Sequence, residues 1–201
     1  MFSLWKKKPL SSPTLDVVTR PHVFPRVKTP AFLAAAAELP GMTPAQMPIS
    51  RPIAGDLLLT FAVDEGSAYV SLTPAMCDRF RMEKAPGVLW TYSMMTLITL
   101  MHSGLKAEAF AGEAFRLTIE PDLDACSILV DDLWNKFAAQ LAGMPVAIFP
   151  HRNLVYFTAS HNAEGMNVLR TFMSQVDFTD THALSRHFYR WQDRAWQVHD
   201  A

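Results

Sequence analysis

From Leu57 onward the apolar residues come first in short runs broken by turn residues, then in longer stretches with a period near four. Residues 57–63 and 68–72 flank Asp64-Glu65-Gly66-Ser67, which predicts two strands joined as a hairpin, because branched and aromatic residues bounded by a Gly/Asp turn suit a pleated, half-buried surface. Thr73-Pro74 couples an N-cap residue to proline at the first helical position and predicts a helix running toward Lys84. Between Lys84 and Lys106 no residue carries a formal charge, a length that would span a bilayer. Within it, however, Trp90, Met94, Leu97, Ile98, Met101 and Leu105 gather on one helical face, while Tyr92, Thr96, Thr99, His102 and Ser103 mark the other. The expectation is a buried central helix over about 88–103, stopped by Gly104.

Further along, strands are expected near 107–110 and 115–120, then a helix over 127–141 carried by Leu129, Leu133, Phe137 and Leu141. Strands at 146–149 and 154–158 meet at Pro150-His151-Arg152-Asn153, and Asn162 caps a helix lined by Met166, Leu169, Met173 and Val176. The chain closes with a hairpin that sets Trp191 opposite Trp196 and Tyr189 opposite Val198. Strand pairs interleaved with about four helices, without strict βαβ alternation, define an α+β class with antiparallel hairpins in a single domain. A chain of 201 residues is long enough to bury a sizeable core of that kind.

The first part of the chain differs. Nine of the fourteen prolines lie within the first fifty-two residues, and proline fixes φ and removes a backbone donor, so residues 1–50 read as a proline-rich arm and 51–201 as the folded domain. Thr29-Pro30, the alanine-rich run after Phe32 and Gly41 predict one short helix in the arm, followed by a connector. Arg51 and Asp56 bracket Pro52-Ile53-Ala54-Gly55, where a charge pair would pin the arm to the domain.

A net charge of -1 supplies no global field toward nucleic acid or anionic lipid, so no nucleic-acid partner is expected. Phe2, Leu4 and Trp5 precede Lys6, Lys7 and Lys8, the reverse of a signal-peptide order, and membrane attachment is not expected either. Cys77 and Cys126 form no CxxC and read as reduced core residues of a cytoplasmic protein. The seven histidines show no HxH or HExxH, and GxSxG, GxxxxGK[ST] and GxGxxG are all missing, so no metal, cofactor or catalytic residue is assigned. The nearest polar cluster is His151 and Arg152 with His161, on loops flanking one strand. A titrating imidazole, a bidentate guanidinium and a helix N-terminus at Asn162 make these three the candidate ligand or partner contacts. Against that, the two loops leave opposite ends of a short strand, and turn residues that bond backbone are the plainer reading.

Arg51-Pro52-Ile53-Ala54-Gly55-Asp56-Leu57-Leu58 with Phe61-Ala62-Val63-Asp64, then Pro145-Val146-Ala147-Ile148-Phe149-Pro150, Asn153-Leu154-Val155-Tyr156-Phe157-Thr158 and Phe188-Tyr189-Arg190-Trp191, resemble the YtpQ-like group of uncharacterised bacterial proteins. The resemblance runs from about residue 50 to the end and departs at the proline-rich start. It implies a bacterial cytoplasmic protein and no activity, cofactor or residue role. With a well-patterned core and no catalytic motif, the leading expectation is an intracellular binding or interaction module of the regulator or immunity type, without catalysis. The arm is then the candidate contact for a protein partner or a second copy of the chain. The alternative is a small hydrolase or transferase with a site assembled in space near His151, Arg152 and His161.

Overall fold

Alternation along four strands builds the first sheet. In the computed structural model, which describes residues 21–66 and 68–199, β1 (Val23–Lys28) pairs antiparallel with β3 (Leu57–Asp64) along its whole length. The other edge of β3 is shared in tandem by β2 (Ser50–Ala54) and β4 (Tyr69–Ser71), which Ile49 joins by donating its N–H to the Leu72 carbonyl. Side chains alternate across a strand, so Leu57, Leu59, Phe61 and Val63 enter the core with Val23 and Val27. The opposite face carries Phe24, Arg26 and Lys28 of β1, with their pairing partners Ala62, Thr60 and Leu58. Residues 1–20, which include Phe2 to Lys8, lie outside the described residues.

The arm expected to stop at residue 50 thus contributes a core strand. Pro25 sits within β1 and is tolerated there because β1 is an edge strand. The short arm helix is present as α1 (Pro30–Ala37), with Gly41 at φ 76° beyond it, although Thr29 makes no side-chain cap. Arg51 and Asp56 do not pair. Arg51 lies over the Trp90 ring at 4.2 Å, and Asp56 turns to the second sheet.

That sheet has six antiparallel strands in the order β10-β9-β7-β8-β6-β5. They are β5 (Lys106–Ala111), β6 (Ala114–Thr118), β7 (Pro145–His151), β8 (Leu154–Ala159), β9 (Phe188–Gln192) and β10 (Ala195–His199). In the closing hairpin Trp191 faces Trp196 and Tyr189 faces Val198, the register the alternation predicts. One face of the sheet packs on α5 (Ala163–Gln175) through Ala114, Ile148, Tyr156 and Leu169, and Asn162 caps that helix by accepting the Gly165 N–H at 2.8 Å. The other face meets the first sheet across the main core. At the free edge every residue of β5 is exposed, with Phe110 laid against Tyr156 and Phe172. The fold is α+β, and among the described residues no helix is long and apolar enough to cross a membrane.

α2 (Pro74–Arg79) starts where Thr73 Oγ1 accepts the Met76 N–H at 3.2 Å. α3 (Pro86–Gly104), the uncharged helix, packs along β1 rather than at the centre. Leu89, Ser93 and Leu97 form its buried line, whereas Tyr92, Met95 and Ile98 face outward, so Ile98 sits on the opposite side from the one its spacing suggests. The helix expected to begin near Ser127 is a wholly buried 3₁₀ segment, Asp124–Leu129, followed by α4 (Asp131–Gln140). This segment lies between β1 and β8 and so joins the two sheets.

Trp134 of α4 is fully buried at that junction. Its Nε1 donates to the Ser127 carbonyl at 2.7 Å, and its ring meets Phe137, Phe149, Phe157 and Trp196 edge-on, with centroids between 4.7 and 6.3 Å. Replacing Trp134 with Ala leaves a void among four rings and removes one of the two N–H donors to the Ser127 carbonyl, which keeps that of Val130. The expected cost is about 3–5 kcal/mol, read as a lower urea midpoint with both sheets unfolding in one transition.

Candidate functional site

A groove runs along the non-core face of the first sheet. Its floor is β1 with Arg26 and Lys28; one wall is α1 with Phe32, and the other is formed by Asp122, Arg152 and the loop around His182. It comprises two adjoining cavities of about 620 and 520 Å³, within the range of small-molecule sites, and Lys28, Phe32, Arg152 and His182 border both.

Arg152 is fixed by three attachments. Its N–H donates to the His182 carbonyl at 3.2 Å, its own carbonyl accepts from the Ala125 N–H at 3.0 Å, and its Nε lies 2.8 Å from Asp122 Oδ1. Asp122 has a left-handed φ of 73°, a conformation that Asp tolerates better than most residues, and Asn153 holds it by accepting its N–H and donating to its carboxylate. On the far side residues 183–185 continue the pairing along β7, with Leu184 and Ser185 donating to the Pro150 and Phe149 carbonyls and Ala183 bridged to His151. The two-residue turn between β7 and β8 is therefore clasped from both sides.

Arg26 is the unusual group. It is 6% exposed, its Nη1 has no hydrogen-bond partner among the described residues, and its guanidinium lies 4.7 Å from the centre of the Tyr69 ring. Two further groove cations follow the same pattern, Lys28 over Phe32 at 4.6 Å and Arg186 over Phe178 at 4.0 Å. The carboxylates of the groove are occupied elsewhere. Asp56 accepts from the Ser185 and Tyr189 hydroxyls, Asp64 from the Gly66 N–H, and Asp180 from the His182 N–H while lying 3.5 Å from His151 Nε2. Among the described residues none of them forms an ion pair with Arg26, Lys28 or Arg186.

The charges accordingly work against one another. Burial, then Arg26 and Arg152, hold the Lys28 ammonium below the usual lysine value, and burial followed by Arg152 pushes His182 below the ordinary imidazole value. His182 Nδ1 is buried without a hydrogen-bond partner among the described residues. Cys126, whose Sγ donates to the Pro25 carbonyl at 3.2 Å, is pushed up to about 12 by burial and is no nucleophile at neutral pH. Among the described residues the hydroxyls that line the groove, on Thr29, Tyr69, Ser71 and Thr181, make no hydrogen bond to a histidine. The arrangement offers donors and positive charge; it does not pair a nucleophile with a base.

Of the three residues singled out from sequence, Arg152 lines both cavities and His151 stands beside it, its ring 5.8 Å from that of His182. His161 is not with them. It lies beyond the other end of β8, about 20 Å along the strand, where its ring packs on Gly143. Arg26 and Lys28 were not foreseen, because the proline in Val23-Phe24-Pro25-Arg26-Val27-Lys28 masked an alternation that puts both on one face. Among the described residues no group of three His, Cys, Asp or Glu is placed to hold a metal ion. Comparison with known proteins finds no matching family model, no similar curated protein and no similar solved structure.

A lysine whose folded-state pKa is depressed costs stability in full below that value, and the cost fades as pH rises toward the unfolded value. Lys28→Met keeps the stem over Phe32 and removes the charge. It is expected to raise the unfolding free energy at pH 7 by about 1 kcal/mol, with the gain shrinking as pH approaches the ordinary lysine value of 10.5; urea unfolding across that range measures it.

Proposed function

We propose that this chain is a binding module without catalysis, and that the groove over Arg26, Lys28, Arg152 and His182 is its recognition surface for a ligand bearing an anionic group. The observation that supports this is the burial of Arg26 with, among the described residues, an uncommitted Nη1 and no carboxylate in ion-pair range. A buried charge is costly unless paired, so a chain that keeps one has its partner arrive from outside. Ring faces support these cations without consuming their N–H donors. Membership of the YtpQ-like group, proposed on the residues quoted above, assigns no activity and agrees with this reading. The free, buried Cys77 and Cys126 support a reducing, cytoplasmic setting as part of the same proposal.

Thermal unfolding at fixed ionic strength with orthophosphate or citrate tests the proposal. Ligand at a hundredfold excess over Kd stabilises by about 2.7 kcal/mol, so Tm rises by several degrees in the unmodified chain. Lys28→Met and Lys28→Glu abolish the rise. An equal rise in all three proteins, or none with either anion, overturns the assignment.

A further inference from the structure

We infer that the outward face of α3 is a docking surface for a second copy of this chain, two α3 helices packing antiparallel across a two-fold axis through Met95. No residue of α3 borders the groove, so this is a second surface, independent of the anion-binding reading.

A solvated helix face ordinarily carries charge. No residue from Ala85 to Leu105 is charged, yet Met95 is 65%, Ile98 37% and Tyr92 36% exposed. These are three of the seven large apolar side chains exposed among the described residues, gathered within two turns of one helix. The polar residues between them bond back to their own helix. Thr91 and Thr99 Oγ1 donate to the Gly87 and Met95 carbonyls at 3.1 and 2.8 Å, and His102 Nδ1 lies 2.8 Å from the Ile98 carbonyl. Hydroxyl donors spent in this way need no water, so covering the face strands none of them and leaves threonine methyls as contact surface.

The face is also its own complement. Met95 marks the middle of the exposed stripe and, at the centre of Pro86–Gly104, the middle of the helix. At about 100° per residue, Tyr92 and Thr99 lie on one side of this midline and Thr91 and Ile98 on the other, at similar distances before and after Met95. A two-fold axis through Met95 therefore sets Tyr92 against Thr99 of the second copy and Ile98 against its Thr91, a bulky side chain on a small one each time, with the two methionines between. The flanking Lys84 and Lys106 lie beyond the helix ends, and Asp78 pairs with Lys84 at 2.7 Å. Antiparallel helix dipoles favour the same pairing. One helix pair roughly 28 Å long buries less than the roughly 1,600 Å² of a standard interface, so Kd is expected on the order of 10 μM.

Sedimentation equilibrium of the full chain between about 1 and 300 μM tests this, with a monomer–dimer equilibrium expected. Met95→Lys and Met95→Glu are each expected to weaken self-association about tenfold or more with Tm unchanged, the side chain being exposed. Mixing the two variants is expected to restore association, because the two-fold contact brings position 95 against itself. Met95→Cys is expected to give a disulfide-linked dimer on oxidation, Cys77 and Cys126 being buried, and Asn167→Cys on the exposed side of α5 is not. Dimers that persist in Met95→Lys, or mixed variants that fail to associate, overturn the assignment. A full chain that stays monomeric throughout overturns it as well, in favour of residues 1–20 if Trp5→Ser then releases dimers, and of a membrane surface if Met95→Lys abolishes cosedimentation with phosphatidylglycerol vesicles.

Discussion

The aromatic layer around Trp134 is the constraint on which the remaining structure depends. Two antiparallel sheets have to be held face to face while a buried 3₁₀ segment passes between them, and such a segment has carbonyls that need partners. Trp134 answers both needs: its ring fills the space among Phe137, Phe149, Phe157 and Trp196, and its N–H takes the Ser127 carbonyl. A second tie lies toward the groove, where Asp56, at the hairpin turn of the first sheet, accepts the Ser185 and Tyr189 hydroxyls of the second. Gly55 beside it sits at φ 52°, and a Cβ there would fall 2.7 Å from Val198 Cγ2, so the turn seats only because that position is bare. With both ties made, the strand bearing Arg26 and the turn bearing Arg152 belong to one rigid frame.

The electrostatics of the groove follow from that frame. Arg26 and Lys28 on β1 and Arg186 on the facing loop are each backed by an aromatic face, while the nearby acids accept from hydroxyls and backbone N–H groups. Arg26 and Arg152 therefore act against the Lys28 charge across the groove.

Patterning made much of the fold legible. The closing hairpin was readable to its register because one alternation governs both its strands, and α5 because Asn162 supplies a cap three residues ahead of the Gly165 it bonds. The proline-rich start was less legible, since proline forbids a central strand but not an edge, and which of the two a segment becomes depends on partners far along the chain. The site suffered for the same reason. Arg152 stood out within a turn, but Arg26 and Lys28 lay in the proline-rich segment, and β8 holds His161 apart from Arg152, as loops at opposite ends of one strand imply. Ile98 shows the limit of helical spacing: both sides of α3 carry apolar residues, and only the position of β1 decides which side is inside.

The open edge at β5 has a consequence of another kind. A fully exposed edge strand offers its unpaired N–H and C=O groups to any other strand, and the alanines of Lys106–Ala111 present no bulk against such pairing. Lys106 and Glu108 make that approach unfavourable, because a second copy adding in register would stack like charges along the seam. These two residues thus guard the chain against growing end to end into sheets, a safeguard required during synthesis and refolding as much as in the finished molecule.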